Sequence, residues 1–281
     1  MRLDKIKSYA KLNLALNIIK KNSRLHKIET LIAFTSFHDE IFIKEIKSKK
    51  HNIIFVGKFS QKINKSNSVS KLIEILEKKQ LLKNKRFKIK INKKIPIKAG
   101  LGGGSMNAAS ILRYFIKKKI IKIDKSELHL ISNLIGSDVI LGLKPKNSVY
   151  NSKNKIKSFT GCKKFYALIV KPNFGCSTKE IYSKVRKLNK PKFNNPIKKM
   201  FNMGYLKKME NALEEIAFSK YKQLKKIKSF LENLYSPIFV RMTGSGSALV
   251  VYFKSKKICD NVKKIFQKKY KNYWCIVAKT I

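Results

Sequence analysis

The sequence predicts an α+β protein with two domains. Strand-like and helix-like runs are mixed along the 281 residues, and no internal repeat is found. One strand-like run, Phe87–Ile91, leads through a cluster of glycines into a stretch with helical spacing, Ala108–Ile116. The polar stretch Asn147–Ser158 is rich in Lys, Asn and Ser and is typical of a loop. We therefore expect one domain over residues 1–158 and a second over residues 159–281.

The individual elements follow from hydrophobic periodicity. Apolar residues alternate with polar ones, or form short runs, in the predicted strands, and they recur at helical spacing in the predicted helices. The predicted strands are Ala10–Ile19, Glu40–Ile46, Asn52–Val56, Phe87–Ile91, Phe165–Val170, Phe239–Arg241 and Leu249–Phe253. The predicted helices are Ser68–Glu77, Ala108–Ile116, Lys125–Ile135, Lys179–Val185, Met209–Ile216, Tyr221–Leu234 and Lys257–Lys268.

Composition indicates a globular, cytoplasmic protein. Hydrophobic residues make up 43% of the chain, which is enough for a real core. No apolar run approaches the ~18 to 20 residues of a membrane span, and the N-terminus lacks the apolar region of a signal peptide. The cysteines are far apart in sequence and have no histidine at metal-ligand spacing, which favours reduced structural thiols: Cys162, Cys176, Cys259 and Cys275.

The formal net charge of +49 would by itself suggest a nucleic-acid-binding protein. However, the lysines are spread from end to end rather than gathered in one arm or stripe. This distribution favours a solvated basic surface that can also steer anionic metabolites. A basic nucleic-acid-binding module remains the alternative from a different functional class.

The glycine-rich segment after Phe87–Ile91 is the first candidate site. Four of the five residues 100–104 are glycine, and a predicted helix follows. Glycine allows close backbone approach, and a helix start adds N–H donors and a positive dipole end, so the pattern favours a phosphate cradle over a hinge or tight turn. Because no lysine follows Gly104, the Walker A motif is excluded. The loop lies too far along the chain for a dinucleotide fingerprint, although Asp124 stands near the required distance.

Three further segments are candidates. Asp138, between glycine and apolar residues, is suited to proton transfer, although an Asp that caps a turn is the alternative. Lys11 and Asn13 share one face of a predicted strand, where Lys11 could equally be an ordinary surface residue. Met242–Ala248 is either a plain hairpin or a loop of small residues that makes room for a ligand or a second loop.

Taken in order, these segments resemble the GHMP kinase superfamily over nearly the whole chain. Within it, Asn13, the third glycine of the loop and Asn107 favour the kinases of a cytidylyl sugar alcohol over mevalonate or homoserine kinases. The resemblance implies a ribosomal protein S5-like N-terminal domain and a ferredoxin-like C-terminal domain. The matching motifs are Ala-Lys-Leu-Asn-Leu at 10–14, Pro-x-x-x-Gly-Leu-Gly-Gly-Gly-Ser-x-Asn-Ala-Ala at 96–109, Gly-x-Asp-Val at 136–139, Lys-Pro-x-x-Gly-x-Ser-Thr at 171–178 and Thr-Gly-Ser-Gly-Ser at 243–247.

The resemblance implies transfer of the γ-phosphoryl group of ATP to a hydroxyl of a cytidylyl substrate in isoprenoid precursor biosynthesis. Another GHMP kinase, with a different polyol or amino acid as substrate, is the alternative among enzymes. Asp138 would be the catalytic base and Lys11 its electrostatic partner, while Mg²⁺ would arrive with ATP and need no protein metal site. The implied ATP-binding residues are Pro96, Ile97, Lys98, Ala99, Gly100, Leu101, Gly102, Gly103, Gly104, Ser105, Met106 and Asn107.

Substrate recognition is where the sequence departs from the family pattern. His26 is present, but Leu25 stands where an aromatic residue is usual, and Met106 stands where the glycine loop usually has a second serine. A cytosine would then lie on Tyr182 with Leu25 opposite. The implied substrate-binding residues are Asn13, Leu25, His26, Thr178 and Tyr182. We expect a small-molecule substrate, no nucleic acid, no membrane, and a monomer or weak homodimer.

Overall fold

The structure is a computed structural model that describes residues 3–21 and 26–281. It has the predicted α+β character and divides into two compact units that interleave along the sequence. Among the described residues, the first unit comprises those up to Lys11 together with Phe37–Ile97 and Gly102–Pro145. The second comprises those of Leu12–Ser36 together with Lys98–Leu101 and Lys146–Ile281. The division of the sequence at residue 158 stays a prediction.

Strands and helices are numbered in chain order. The strands are β1 Asp4–Lys20, β2 Lys27–Ile46, β3 Asn52–Val56, β4 Arg86–Asn92, β5 Asn147–Tyr150, β6 Ile156–Phe159, β7 Tyr166–Lys171, β8 Phe239–Met242, β9 Leu249–Phe253 and β10 Trp274–Lys279. The helices are α1 Ser68–Lys78, α2 Gly103–Lys117, α3 Lys125–Ile135, α4 Val139–Gly142, α5 Thr178–Ser183, α6 Met203–Lys207, α7 Glu214–Lys220, α8 Lys222–Glu232 and α9 Lys256–Lys269, with a 3₁₀ turn at Lys198–Phe201. None of these helices is long and apolar enough to cross a membrane.

The first unit is organised around strand β4. It pairs with β2 in antiparallel fashion, with Ile89 opposite Ile43, and with β3 in parallel, with Ile89 opposite Ile53. The alternation predicted for β4 is confirmed, because Phe87, Ile89 and Ile91 are buried while the lysines between them are exposed. This buried face packs with apolar side chains of α1, α2 and α3. The resulting core fixes the strand that enters the glycine-rich segment and the helix that leaves it.

The second unit contains an antiparallel sheet in the order β10-β7-β9-β8. Val170 of β7 lies opposite Leu249 of β9, which in turn lies opposite Met242 of β8. The apolar faces of α8 and α9 supply Leu224, Ile227, Leu231, Val262 and Phe266 to the core of this unit. The sheet positions the segment between β8 and β9, which is one of the predicted candidate segments.

Two predictions of local structure are wrong. Residues 147–158 are not a loop, because β5 and β6 form a hairpin there whose tight turn is made by Asn151. The Oδ1 atom of Asn151 accepts the N–H groups of Lys153 and Lys155, so the polar composition belongs to the turn alone. The helix predicted at Met209–Ile216 begins only at Glu214. The reason is Asn211, whose side-chain Oδ1 accepts the N–H of Leu213 and whose Nδ2 donates to the carbonyls of Met242 and Gly244.

Candidate active site

The glycine-rich segment opens helix α2 without a side-chain cap. The N-cap residue is Gly102, with φ of 68°, and no side chain caps the helix there. The first intrahelical hydrogen bond described is donated by the N–H of Met106 to the carbonyl of Gly102, at 2.9 Å. The N–H groups of Gly103, Gly104 and Ser105 precede that bond, where helix geometry leaves donors for an outside acceptor. Together with the positive end of the helix dipole, this arrangement fits a phosphate group.

The residues just before Gly102 are held by the segment between β8 and β9. The N–H groups of Ser247 and Ala248 donate to the carbonyls of Lys98 and Ala99, at 3.3 and 3.2 Å. The hydroxyl of Thr243 donates to the carbonyl of Gly100, at 3.2 Å. The segment predicted as a hairpin or as a partner for a second loop is therefore both: it joins two antiparallel strands and binds residues 98–100 along its length.

Gly100 is required by this contact. Its φ is +72°, which side chains other than that of glycine rarely adopt, and a β-carbon placed on it would lie 1.9 Å from the carbonyl oxygen of Thr243. Because the obstructing atom belongs to the backbone, it cannot move aside as a flexible side chain could. The glycine at this position serves close backbone packing.

Lys11 and Asp138 form an ion pair, with Nζ of Lys11 3.1 Å from Oδ2 of Asp138. Strand β1 positions Lys11, whose side chain is only 4% exposed, whereas that of Asp138 is 33% exposed. Asp138 occupies the N-cap position of the short helix α4 but makes no side-chain capping hydrogen bond. The structure therefore favours the predicted pairing with Lys11 over the capping alternative, and it leaves the carboxylate accessible to a small molecule.

The predicted motifs of the first unit converge around this pair. A β-carbon placed on Gly102 would lie 3.0 Å from Cγ and 3.2 Å from Cε of Lys11, so the lysine stem runs directly beside the start of α2. A β-carbon placed on Gly136 would lie 3.9 Å from Oγ of Ser105. Three segments that are distant in sequence thus bring an uncapped helix start, a buried ammonium and an accessible carboxylate together.

Several of the residues predicted to contact ATP are buried: Pro96, Ala99, Leu101, Met106 and Asn107. The more exposed ones include Lys98 and Gly104. The N–H of Met106 is already donated within the helix. Asn107 is 1% exposed, and no described residue makes a hydrogen bond to its Oδ1 atom. That these buried residues contact ATP stays a prediction.

The predicted substrate residues lie in the second unit, except that Leu25 falls outside the described residues. The rings of His26 and Tyr182 have centroids 5.3 Å apart and planes tilted by 53°. Burial, helped by the positive charge of Lys21, lowers the pKa of His26 below its ordinary value, which keeps the imidazole neutral near pH 7. Thr178 and Ser245 share a hydrogen bond between hydroxyls at 2.9 Å.

Asn13 is 2% exposed and is bound on two sides within the second unit. Its N–H donates to the hydroxyl of Thr243 at 3.0 Å, and its Nδ2 donates to the hydroxyl of Thr30 at 2.8 Å. Since Thr243 also binds Gly100, Asn13 supports the residues that lead into the glycine loop. A direct contact between Asn13 and substrate stays a prediction.

Sequence reasoning missed a buried ion pair, between Asp39 and Lys93. Both residues are almost fully buried, Asp39 at 0% and Lys93 at 3% exposure. The available signal was weak: Lys93 comes directly after β4 and before the glycine segment, but it is one of 65 basic residues. Asp39 was the better clue, because the chain has only 16 acidic residues and this one interrupts an apolar strand.

This fold and site define a small-molecule kinase of the GHMP class. The family described as "GHMP kinases N terminal domain" matches residues 67–144. The chain is 55% identical, over 277 residues and 99% of each chain, to the 4-diphosphocytidyl-2-C-methyl-D-erythritol kinase of Pelagibacter ubique. It is 33% identical to the enzyme of that name from Petrotoga mobilis, with 88% of this chain and 98% of the relative covered. The chain therefore belongs to the family of 4-diphosphocytidyl-2-C-methyl-D-erythritol kinases.

Solved structures show the same fold. A crystal structure of a 4-(cytidine 5'-diphospho)-2C-methyl-D-erythritol kinase matches with a TM-score of 0.76 and 22% identity, over 98% of this chain and 99% of that one. Homoserine kinase from Cytophaga hutchinsonii matches with a TM-score of 0.71 and 14% identity, over 100% and 95% of the two chains. These likenesses confirm the predicted α+β fold of GHMP kinases.

Gly100→Ala should destabilise the protein by about 1–3 kcal/mol, because it adds backbone strain and a clash with the Thr243 carbonyl. The free energy of unfolding from urea titration measures the effect. Gly204→Ala is the matched control, since a β-carbon there meets nothing within 4 Å and helix α6 favours alanine. Equal stabilities for the two variants would contradict the close approach at Gly100.

Proposed function

We propose that the protein transfers the γ-phosphoryl group of ATP to the 2-hydroxyl of 4-diphosphocytidyl-2-C-methyl-D-erythritol. The observation that carries the proposal is the Lys11–Asp138 pair beside the uncapped start of α2. Phosphoryl transfer needs aligned groups, neutralised charge and an acceptor for the hydroxyl proton. The N–H groups at the start of α2 can align the phosphates, the Lys11 ammonium can neutralise charge, and the Asp138 carboxylate can accept the proton.

The substrate hydroxyl would donate its proton to the Asp138 carboxylate as its oxygen bonds to the γ-phosphorus. The bond from that phosphorus to the β–γ bridging oxygen breaks, and ADP leaves with the electron pair. Lys11 orients the Asp138 carboxylate and offsets negative charge on the transferring group. Its burial at 4% exposure makes that charge more effective than a solvated lysine would be.

ATP would be held mainly through its phosphates by the N–H groups of Gly103, Gly104 and Ser105. Mg²⁺ would arrive with the nucleotide and neutralise phosphate charge. No group of three or more metal-ligating side chains occurs in the described part of the chain. Oxygen ligands of the nucleotide and solvent suit Mg²⁺ better than nitrogen or sulfur ligands do.

The base of the substrate would be recognised by His26 and Tyr182. A neutral imidazole can make a hydrogen bond through one ring nitrogen to the polar edge of cytosine, and the tyrosine ring offers a face for stacking. Both side chains belong to the second unit and contact each other. Asn13 and Thr178 would bind the remaining polar groups of the substrate.

We further propose that the protein works in the cytoplasm as a monomer or weak homodimer, without nucleic acid or membrane as a partner.

The decisive assay for the phosphoryl transfer mixes the protein with ATP and the cytidylyl substrate and follows ADP release, with phosphorus NMR of the product. Release of ADP only when the cytidylyl substrate is present supports the proposal. Equal release without that substrate, or with a mevalonate or homoserine substitute, contradicts it.

Asp138→Asn should preserve the fold and lower kcat by about 10²-fold or more, because the amide cannot accept the hydroxyl proton as a carboxylate does. Steady-state kinetics with both substrates measure this. The control is Asp124→Asn, which alters the capping acid of helix α3 and should leave kcat unchanged. Near-normal turnover of the Asp138 variant would remove that residue from the mechanism.

Lys11→Met should lower kcat by about 10²-fold, with little change in the Kd of ATP, because the charge acts mainly on the transition state. Lys118→Met removes an exposed lysine paired with Asp4 and should have no kinetic effect. A raised KM with an unchanged kcat would instead make Lys11 a binding residue.

His26→Ala should reduce the preference for cytidine diphosphate over uridine diphosphate by about tenfold, because a hydrogen bond to the base edge is lost. The ratio of the two Kd values, measured by calorimetry, reports the change. His129→Ala, an exposed change on helix α3, is the control. If the ratio stays constant in the His26 variant, the base is recognised by other residues.

A further inference from the structure

We propose that Lys93 and Asp39 form a positioning pair that sets the geometry of the phosphate-binding turn. This inference rests on the proposed function, since it concerns how that turn binds ATP. The pair lies outside the Lys11–Asp138 centre, and neither residue is assigned to the reaction above. Its members are separated by 54 positions in the sequence, yet the Lys93 ammonium donates to Oδ2 of Asp39.

Asp39 fixes the backbone that enters the glycine segment. Its Oδ1 accepts the N–H groups of Lys94 and Ile95, at 2.7 and 2.8 Å. These residues stand immediately before Pro96, where the predicted ATP-binding segment begins. A carboxylate with 0% exposure that accepts three hydrogen bonds is oriented much more strongly than a solvated one.

Lys93 reaches the other end of the same segment. A β-carbon placed on Gly103 would lie 3.1 Å from Nζ of Lys93 and 3.0 Å from Cγ2 of Ile95. Gly103 is the first residue of α2, and its N–H is one of the donors offered to phosphate. The ammonium thus lies against the helix start, in space that a side chain at position 103 would otherwise fill.

The pair therefore connects the entry of the glycine segment with its exit. A cation beside a helix N-terminus is unfavourable by itself, because both are positive. The Asp39 carboxylate offsets that repulsion, and a bound polyphosphate would favour the ammonium further. Lys93 and Asp39 then act on ATP through the backbone they hold, which makes them positioning residues for the nucleotide.

The test compares MgATP binding by the full-length protein and its variants, using calorimetry together with steady-state kinetics. Lys93→Met should raise the Kd and KM of ATP by about tenfold, while kcat and the KM of the cytidylyl substrate stay within about threefold. Lys94→Met is the matched control. It removes the same charge one residue away, where the Lys94 side chain is 42% exposed and paired with Glu40, and should bind ATP as the parent does.

Asp39→Asn should weaken ATP binding to a similar degree, and the double variant should be no worse than the more affected single variant, because the two residues act as one unit. Gly103→Ala tests the same contact without removing a charge. The added methyl group crowds Nζ of Lys93 and should raise the Kd of ATP by about threefold. This variant decides the matter if the charge variants do not fold.

Unchanged ATP affinity in a folded Lys93→Met variant, or in Gly103→Ala when the charge variants do not fold, would overturn the proposal. So would equal losses of ATP affinity, of kcat and of affinity for the cytidylyl substrate, since they would indicate general damage. If the parent protein binds no ATP, the proposed function fails together with this inference. If the parent binds ATP and the folded variants bind it with the same affinity, the positioning pair alone is refuted.

Discussion

The site depends on how closely other atoms approach the backbone between residues 100 and 103. A backbone carbonyl, that of Thr243, approaches Gly100; the stem of Lys11 approaches Gly102; and the ammonium of Lys93 approaches Gly103. Each glycine leaves room for a different neighbour, and each neighbour comes from a different part of the chain. The glycines therefore serve close packing more than flexibility. Close packing holds the backbone N–H donors rigidly, and rigid donors favour phosphate binding.

The scarcity of acids makes their placement informative. The chain has 16 acidic residues against 65 basic ones, so a carboxylate is never far from a possible partner. Asp39 and Glu29 are nonetheless fully buried, and both accept backbone N–H groups: those of Lys94 and Ile95 for Asp39, and those of Lys192 and Phe193 for Glu29. Burial of a charge is unfavourable unless such donors satisfy it. These acids fix connecting segments, whereas the more exposed Asp138 is available for chemistry.

The glycine turn and Asp138 could be singled out because their signals are local, whereas the pairing of Asp138 with Lys11 was implied by the family resemblance. Glycine spacing and the isolated Asp138 are visible in a few consecutive residues. The Asp39–Lys93 pair could not be predicted in the same way, since its contact joins β2 to the residue after β4, 54 positions away, and one partner is among many lysines. The hairpin at 147–158 was missed for another reason: composition averaged a polar turn with the short strands on either side.

Met106 shows how a departure from a family pattern can be accommodated. The glycine loop usually has a second serine here, and its hydroxyl would be a natural phosphate contact. In this chain the Met106 side chain is 1% exposed, and a β-carbon placed on Gly142 would lie 2.9 Å from its sulfur, so the thioether fills space beside helix α4. A serine in the same orientation would leave a void and a buried hydroxyl. Met106 therefore packs between α2 and α4, and its side chain offers no hydroxyl at the start of α2.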